Sequence, residues 1–520
     1  MTRTAGCEPA VARWQGMRQT RHPTMSLQLY DTLTGQKAPF TPADPQNARV
    51  YVCGPTVYDY AHLGHARCYI VYDVLTRHLR TSGMRVTYVR NVTDIDDKII
   101  NRAAERGEQP DQLAARFTEA FREDMERLGN AAPDVEPKVS EHLPHIIALV
   151  QRLIASGNAY EADGDVYFSV ESFEGYGKLS HRNLSEHETG ASGRTDAEQM
   201  ARKRHPADFA LWKSAERSEV GWESPFGWGR PGWHIECSAM SMEHLGETLD
   251  LHGGGLDLVF PHHENELAQS EAATCKPFSR CWMHNGFVEV NKEKMGKSLG
   301  NFFTARELFR HIEPEAVRFF AMTVHYRAPL GFEFEEVAGG APRFPGLEEA
   351  ERRLEYLYKT QLRLRELPAE RIVPEGWVPD AISGFPKALK RALDDDLNMP
   401  IGLAALSDLL ASVNELCDAA LRKKGTAQQA AVDAAERAFE ALQRRLGIGF
   451  QEPREVLERI RDRRAEARGV RREWVEQRIV DRAEARSNKD FAAADRIRVE
   501  LTEAGVELLD SPAGTTWQIA

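Results

Sequence analysis

The stretch from Arg49 to Val92 constrains the fold of this chain more than any other. RVYVC (49–53) is a short apolar run of strand-forming residues that reads as a buried strand. It enters the turn Gly54-Pro55 and then a helical stretch over about 64–82 that stops at Gly83. RVTYVRNV (85–92) follows as an alternating strand. A strand, a long helix and a second strand make a crossover unit, and a chain that opens this way builds a parallel sheet.

The same alternation continues downstream. Strand signals return at 247–252 (ETLDLH), before Gly253-Gly254-Gly255, and at 281–290, ahead of a lysine-rich loop at 292–298. Residues 110–157 read as helical from apolar side chains at three- and four-residue spacing. Residues 158–230 break the pattern with DVYFSV, a Gly/Ser/Thr/Glu-rich stretch at 185–195 and WESPFGWGRPGW, and read as an insertion into the sheet. Strands alternating with helices across 49–325 predict an α/β, doubly wound (Rossmann-type) parallel sheet with a nucleotide-sized crevice at its carboxyl edge. Beyond 346 strand signals nearly vanish. Helical patterns run over 346–366, 384–396, 400–423, 427–446 and 452–486, and 489–520 reads as a small helix-then-hairpin unit.

Composition narrows the function. No apolar run approaches the roughly 18 residues of a membrane span, so no membrane partner is expected. The 67 basic and 79 acidic side chains leave a net charge of −12, so any nucleic-acid contact needs a local basic face. Segment 452–486, with 11 Arg against 9 acids, is a candidate, although an ion-paired solvated helix reads equally well. Seven thinly spread cysteines argue for a reducing, cytoplasmic setting in which some thiols act as ligands. Residues 1–24 hold Arg3, Arg13, Arg18 and Arg21 against Glu8 and lack a secretory apolar core. They read as a disordered extension, or as the product of an upstream start codon before Met25, with an organellar transit peptide as the minor alternative.

Three constellations carry chemistry. His62-Leu63-Gly64-His65 lies between the first strand and the helix, where a helix N-terminus presents amides to an anion and two imidazoles can donate to a phosphoryl group. Lys292-Glu293-Lys294-Met295-Gly296-Lys297-Ser298 is a lysine-rich loop suited to following charge onto a leaving pyrophosphate. Cys53, Cys237, His262 and Glu266 form a plausible zinc set, the last two four residues apart on one helix face. A one-residue slip to His263 and Glu264 is an open alternative, as is a plain core role for Cys53.

HLGH and KMGKS resemble the two signature motifs of class I aminoacyl-tRNA synthetases, with Gly296 in place of the usual Ser. CGPTVYDYAHLGHAR, RNVTDIDDKI, KRHPADFALWK, GRPGWHIECSAM, DLHGGGLDLVFPHHENELAQSE and VNKEKMGKS together resemble the cysteinyl-tRNA synthetase family over about 50–300. The resemblance implies Cys53, Cys237, His262 and Glu266 as ligands of one Zn2+. It implies His62, Gly64, His65, Asp257, Lys294 and Lys297 around ATP and its Mg2+, with His62, His65, Lys294 and Lys297 catalytic. Thr93 and Trp233 would line the L-cysteine pocket. KALKRALDDDLNMPIGLAALSDLLASVN and the tail KDFAAADRIRVELTEAGVELLDSPAGTTW resemble the family's anticodon side, which makes tRNA(Cys) the acceptor. Trp517 then reads either as a base-stacking ring or as an anchor for the tail.

The organisation expected is an extension at 1–24, a catalytic domain at 25–345 with a connective insertion at about 130–230, an α-helical bundle at 346–450 and a mixed anticodon-side domain at 451–520, in a monomer. A related activity, the cysteine ligase of mycothiol synthesis, shares the motifs but joins cysteine to an amino-sugar inositol and needs no anticodon reader. A non-catalytic RNA-binding paralogue is the reading from another class, and retention of both histidines, both lysines and all four ligands argues against it.

Overall fold

The computed structural model of the chain describes residues 27–182, 197–291, 293–294, 302–337, 342–374, 376–511 and 514–519. The extension expected at 1–24 lies outside them. At the centre is a four-stranded parallel sheet of β1 (Asn47–Val52), β2 (Arg85–Arg90), β3 (Leu251–Gly255) and β4 (Trp282–Asn285), in the spatial order β4-β3-β1-β2. Strand alternation shares β1 between two cores. Val50 and Val52 pack with helix α1 (Leu63–Thr81), and Tyr51 and Cys53 pack with Val89, Leu267 and Trp282. Burial on both faces is why RVYVC carries no polar alternation.

The order of strands reverses at β1. β2 is added on one side and β3 with β4 on the other, so the loops leaving β1 and β3 diverge and open a crevice at their carboxyl ends. β3 starts later than the pattern at 247–252 suggests and runs through the glycines to Gly255. Side chains there would collide: a Cβ on Gly253 would lie 2.4 Å from the Tyr72 ring. Tyr72 instead closes onto the strands, its hydroxyl accepting from Gly254 N at 2.6 Å and donating to Met283 O at 2.5 Å.

The signal at 281–290 resolves into β4 and a separate strand, Val288–Val290, which pairs with Leu330–Phe332 and with Glu293–Lys294. The helical reading of 110–157 also divides, into Pro110–Arg127 and Leu143–Ala155, with Gly129 at φ 75° in the break. Ala159–Ala162, Asp165–Phe168, Phe209–Ser214 and Gly229–Pro231 form an antiparallel sheet of their own. Its core, around the fully buried Trp212, is separate from that of the central sheet.

Helices Pro345–Arg365, Asp380–Asp394, Met399–Leu421 and Gln429–Leu446 share one apolar core with α1. Segment 452–486 is two helices, Pro453–Ala467 and Arg472–Ser487, divided at Gly469 with φ 69°. Helix Phe491–Glu503 and the hairpin Val506–Ser511/Gly514–Ile519 follow. Buried polar contacts tie these helices to α1. Arg318 is fully buried, donates to Leu446 O at 2.8 Å and pairs with Asp73.

Candidate active site

The crevice begins where β1 ends. Cys53 follows Val52 directly, its amide donating to Gly253 O at 3.1 Å. Gly54 is needed next, because a Cβ there would lie 1.5 Å from Asn91 O, and its amide donates to Asn91 Oδ1 at 2.8 Å. The chain then reaches His62, the N-cap of α1. His62 Nδ1 accepts from His65 N at 3.2 Å, and His65 Nδ1 accepts from His62 N at 3.3 Å. Two imidazoles thus build a reciprocal capping box, with rings stacked 3.7 Å apart. Because each neutral ring spends Nδ1 as an acceptor, its proton sits on Nε2. Capping thus uses Nδ1 of both rings and leaves the donor role expected of them to Nε2.

Backbone bonds lock this turn to the far side of the lysine loop. Leu63 N donates to Phe303 O at 3.3 Å and Ala305 N to Ala61 O at 2.7 Å, while Phe302 sets its ring edge against His62. Lys294 is described through its backbone in the short strand Glu293–Lys294. Gly296 and Lys297 lie outside the described residues.

Cys53, Cys237, His262 and Glu266 bring their ligand atoms within 4.8 Å of one another. Cys237 comes from the second turn of α2 (Trp233–Leu245), His262 from the turn Val259–His263, and Glu266 from the first turn of α3 (Glu264–Thr274). Cys53 Sγ is 3.6 Å from Cys237 Sγ and 3.3 Å from Glu266 Oε1, and His262 Nε2 is 3.0 Å from Glu266 Oε1. All four side chains are buried.

Burial pushes the Cys53 thiol well up and opposes ionisation of the Cys237 thiol as well. For Cys237, the Cys53 hydrogen bond and His262 outweigh burial and bring it down to about 6. Burial disfavours a charged His262, but Glu266 and Cys237 raise it to about 9. Burial likewise opposes ionisation of Glu266, yet His252 and His262 hold it well below the usual carboxylate range. A buried thiol, imidazole and carboxylate that share protons so closely make a donor set suited to a cation.

The one-residue alternative divides. Glu264 turns away, accepting from Gly177 N at 2.9 Å and Ser180 N at 2.7 Å. His263 stays close, its Nε2 3.3 Å from Cys53 Sγ, and with Cys53, His252 and Glu266 it forms a second set of donors within the same 4.8 Å limit. His252, fully buried in β3, lies 3.2 Å from Glu266 Oε2, and His284 in β4 bonds His263 Nδ1 at 2.7 Å. Sequence reading missed His252 and His284. Their only available signal was a histidine in each of two neighbouring buried strands, His252 in Leu251–Gly255 and His284 in Trp282–Asn285.

Trp233, at the start of α2, stacks on His262 with ring centroids 4.1 Å apart. Thr93 is buried and donates to Glu236 Oε2 at 3.2 Å, one residue from Cys237. Asp257 sits exposed on the turn Leu256–Leu258 after the glycine run, and Gly64 lies inside the first turn of α1.

In the tail, the Trp517 ring is taken up by the core of Val475, Leu501 and Val506, with the Arg461 guanidinium 4.5 Å above it. The anchor reading therefore replaces the stacking one. Many arginines of 452–486 are already engaged: Arg459 and Arg463 with Glu313, Arg464 with Glu355, Arg472 with Asp462 and Arg482 with Asp510.

Comparison with known proteins gives consistent findings. Residues 39–340 match the model of the tRNA synthetases class I (C) catalytic domain, and residues 388–451 match the DALR domain. Cysteine–tRNA ligases of Anaeromyxobacter dehalogenans (strain 2CP-1) and Syntrophotalea carbinolica are 50% and 49% identical to the chain, in each case over 95% of this chain and 100% of the relative. Mycobacterium tuberculosis methionyl-tRNA synthetase with methionyl-adenylate shares the fold at a TM-score of 0.55 and 15% identity, over 79% of this chain and 93% of the other.

Proposed function

This chain belongs to the class I cysteine–tRNA ligases, and on that premise we propose that Cys53, Cys237, His262 and Glu266 hold a zinc ion that selects the amino acid. The observation that carries this reading is the convergence of those four buried donors at the carboxyl edge of the sheet. Two thiols with an imidazole and a carboxylate suit zinc and not the oxygen-seeking Mg2+ or Ca2+. The need is physical: cysteine and serine differ by sulfur for oxygen, and an apolar pocket separates such near-isosteres poorly. When bound, the ion supplies a soft electrophile that favours a thiolate over a hydroxyl.

The chain's own residues do the rest. Trp233 and Thr93 wall the L-cysteine pocket, the first against His262 and the second through Glu236. The cysteine carboxylate attacks the α-phosphate of ATP, which enters with Mg2+, to give cysteinyl adenylate and pyrophosphate. His62 and His65 donate from Nε2 to the phosphates, Lys294 and Lys297 follow the charge onto pyrophosphate, Gly64 admits the adenine and Asp257 takes the ribose. The 3′-terminal ribose hydroxyl of tRNA(Cys) then accepts the cysteinyl group and AMP leaves. Positioning and charge stabilisation supply the rate.

The DALR match at 388–451 and the full-length cysteine–tRNA ligase relatives leave the amino-sugar ligase without support. Among the described residues no helix is long and apolar enough to cross a membrane. We place the enzyme in the cytoplasm as a monomer.

ATP–pyrophosphate exchange with cysteine and with serine, on zinc-loaded and chelator-stripped enzyme, tests the reading. Stripping should abolish the preference for cysteine, and an unchanged preference refutes the role of the ion. Lys297→Ala should lower the turnover of exchange far more than it weakens cysteine binding. A loss confined to cysteine affinity contradicts its place on the phosphates.

A further inference from the structure

Two histidines meet at the far end of α2, away from Trp233 and Cys237. His142 precedes helix Leu143–Ala155, and His244 lies in the last turn of α2. Their Nε2 atoms are 2.9 Å apart. His142 Nδ1 lies 2.7 Å from the carbonyl oxygen of Lys138. A carbonyl only accepts, so Nδ1 holds the ring proton and His142 Nε2 turns a lone pair toward His244. One ring nitrogen anchored on a backbone carbonyl with the other left to coordinate is how metal-ligating histidines are oriented.

Two further donors stand beside this pair. His145 lies one turn along from His142, ring centroids 5.7 Å apart, and Glu243 is adjacent to His244 in sequence. His145 Nε2 is 3.2 Å from Glu243 Oε2, and both side chains are 46% exposed, so either can turn toward the pair without disturbing the core.

We infer that His142 and His244, completed by Glu243 or His145, form a second metal site, for a borderline divalent cation of the zinc class, which nothing in the aminoacylation chemistry calls for. Two zinc–nitrogen bonds of about 2.05 Å at a tetrahedral angle place the nitrogens about 3.3 Å apart. The pair needs to open by only a few tenths of an ångström. Imidazole donors exclude Mg2+ and Ca2+ in favour of zinc, cobalt or nickel. His142 Nε2 accepts from His244 Nε2, so a cation takes the place of that one proton, which moves to His244 Nδ1. An ion here staples helix Leu143–Ala155 to the helix that carries Cys237, at the end remote from the crevice.

Metal counting tests this directly. Zinc-loaded enzyme is dialysed to equilibrium against buffered Zn2+, and bound zinc is measured for the wild type and for His142→Gln/His244→Gln. The wild type should hold one more equivalent per chain than the variant. Co2+ added to wild type that holds one zinc equivalent, in the Cys53 cluster alone, should give a visible ligand-field band without thiolate-to-cobalt charge transfer in the near ultraviolet, because the second site has no sulfur. Equal zinc content in the two proteins overturns the inference. So does a wild type that takes up no zinc beyond the Cys53 cluster, a result that needs no variant to fold.

Discussion

Replacing Arg67 exposes how the turn that carries His62 is tied to the strand leading into the lysine loop. Arg67 is fully buried on α1 and, among the described residues, pairs with no carboxylate. Its Nη1 donates to Gly286 O at 3.0 Å and Phe287 O at 2.5 Å, and its Nη2 to Tyr326 O at 3.1 Å, His325 O at 3.4 Å and Ala328 O. Burial lowers its pKa to about 10, so it is charged at neutral pH. Arg67→Met keeps length and apolar bulk but removes every donor.

Four of the five carbonyls retain a second donor: Asn285 Nδ2 on Gly286 O, Leu330 N on Phe287 O, Gly286 N on Tyr326 O and Ala328 N on His325 O. Only Ala328 O is left without one among the described contacts. The cost is therefore the net value of charge-assisted bonds, about 1.5–3 kcal/mol, plus about 1–3 kcal/mol for one orphaned carbonyl, not five such penalties. A total of about 2.5–6 kcal/mol corresponds to roughly two to four powers of ten in local opening. Arg67→Lys should fall between, since one nitrogen cannot serve both groups of carbonyls.

Because a chain of this size does not unfold in two states, native-state hydrogen exchange is the appropriate assay. The amides of Gly286 and Leu330 should lose protection by that factor, together with ATP–pyrophosphate exchange activity. Wild-type protection at those two amides in Arg67→Met would refute the reasoning.

Three further outcomes are expected. His78 Nε2 donates to Asp394 Oδ1 at 2.9 Å, and its Nδ1 accepts from Arg445 at 2.6 Å, so the buried ring is held neutral; burial chiefly depresses its pKa below 6.5. A depressed folded-state pKa gives stability that is present above 6.5 and lost as pH falls below it; His78→Gln should flatten that part of a stability-versus-pH curve, and an unchanged slope contradicts the assignment. Glu266→Gln keeps the shape of a buried ligand but removes its charge, and competition with a chelator should show zinc held at least roughly tenfold more weakly; full affinity would remove Glu266 from the ligand set. Trp517→Ala empties the tail core at about 3–5 kcal/mol, so limited proteolysis should cut within 468–520 while cysteine-dependent exchange persists; a resistant tail would show that the ring does not hold it.

The local pattern settled a good deal. Buried strands without alternation, the crossover helix and the two signature turns are all short-range features, and they were enough to indicate a doubly wound sheet and an adenylating site. Even there, packing moved details. β3 runs through three glycines because Tyr72 leaves no room for a side chain at Gly253, and His263 and Leu258 leave little at Gly254. Segment 281–290 breaks at Gly286, where a Cβ would lie 2.6 Å from Ala328 O.

Convergence is another matter. Cys53 and Cys237 are 184 residues apart, yet their sulfurs approach to 3.6 Å, and no periodicity records this. Glu264 and Glu266 occupy the same helical turn, but one bonds backbone amides while the other joins the cysteines. His252 and His284 became part of the site only because β3 and β4 are neighbours. Sequence spacing encodes which face of an element a side chain occupies; which remote faces meet is decided by the order of strands and the direction of their crossovers, and those are properties of the whole packed chain.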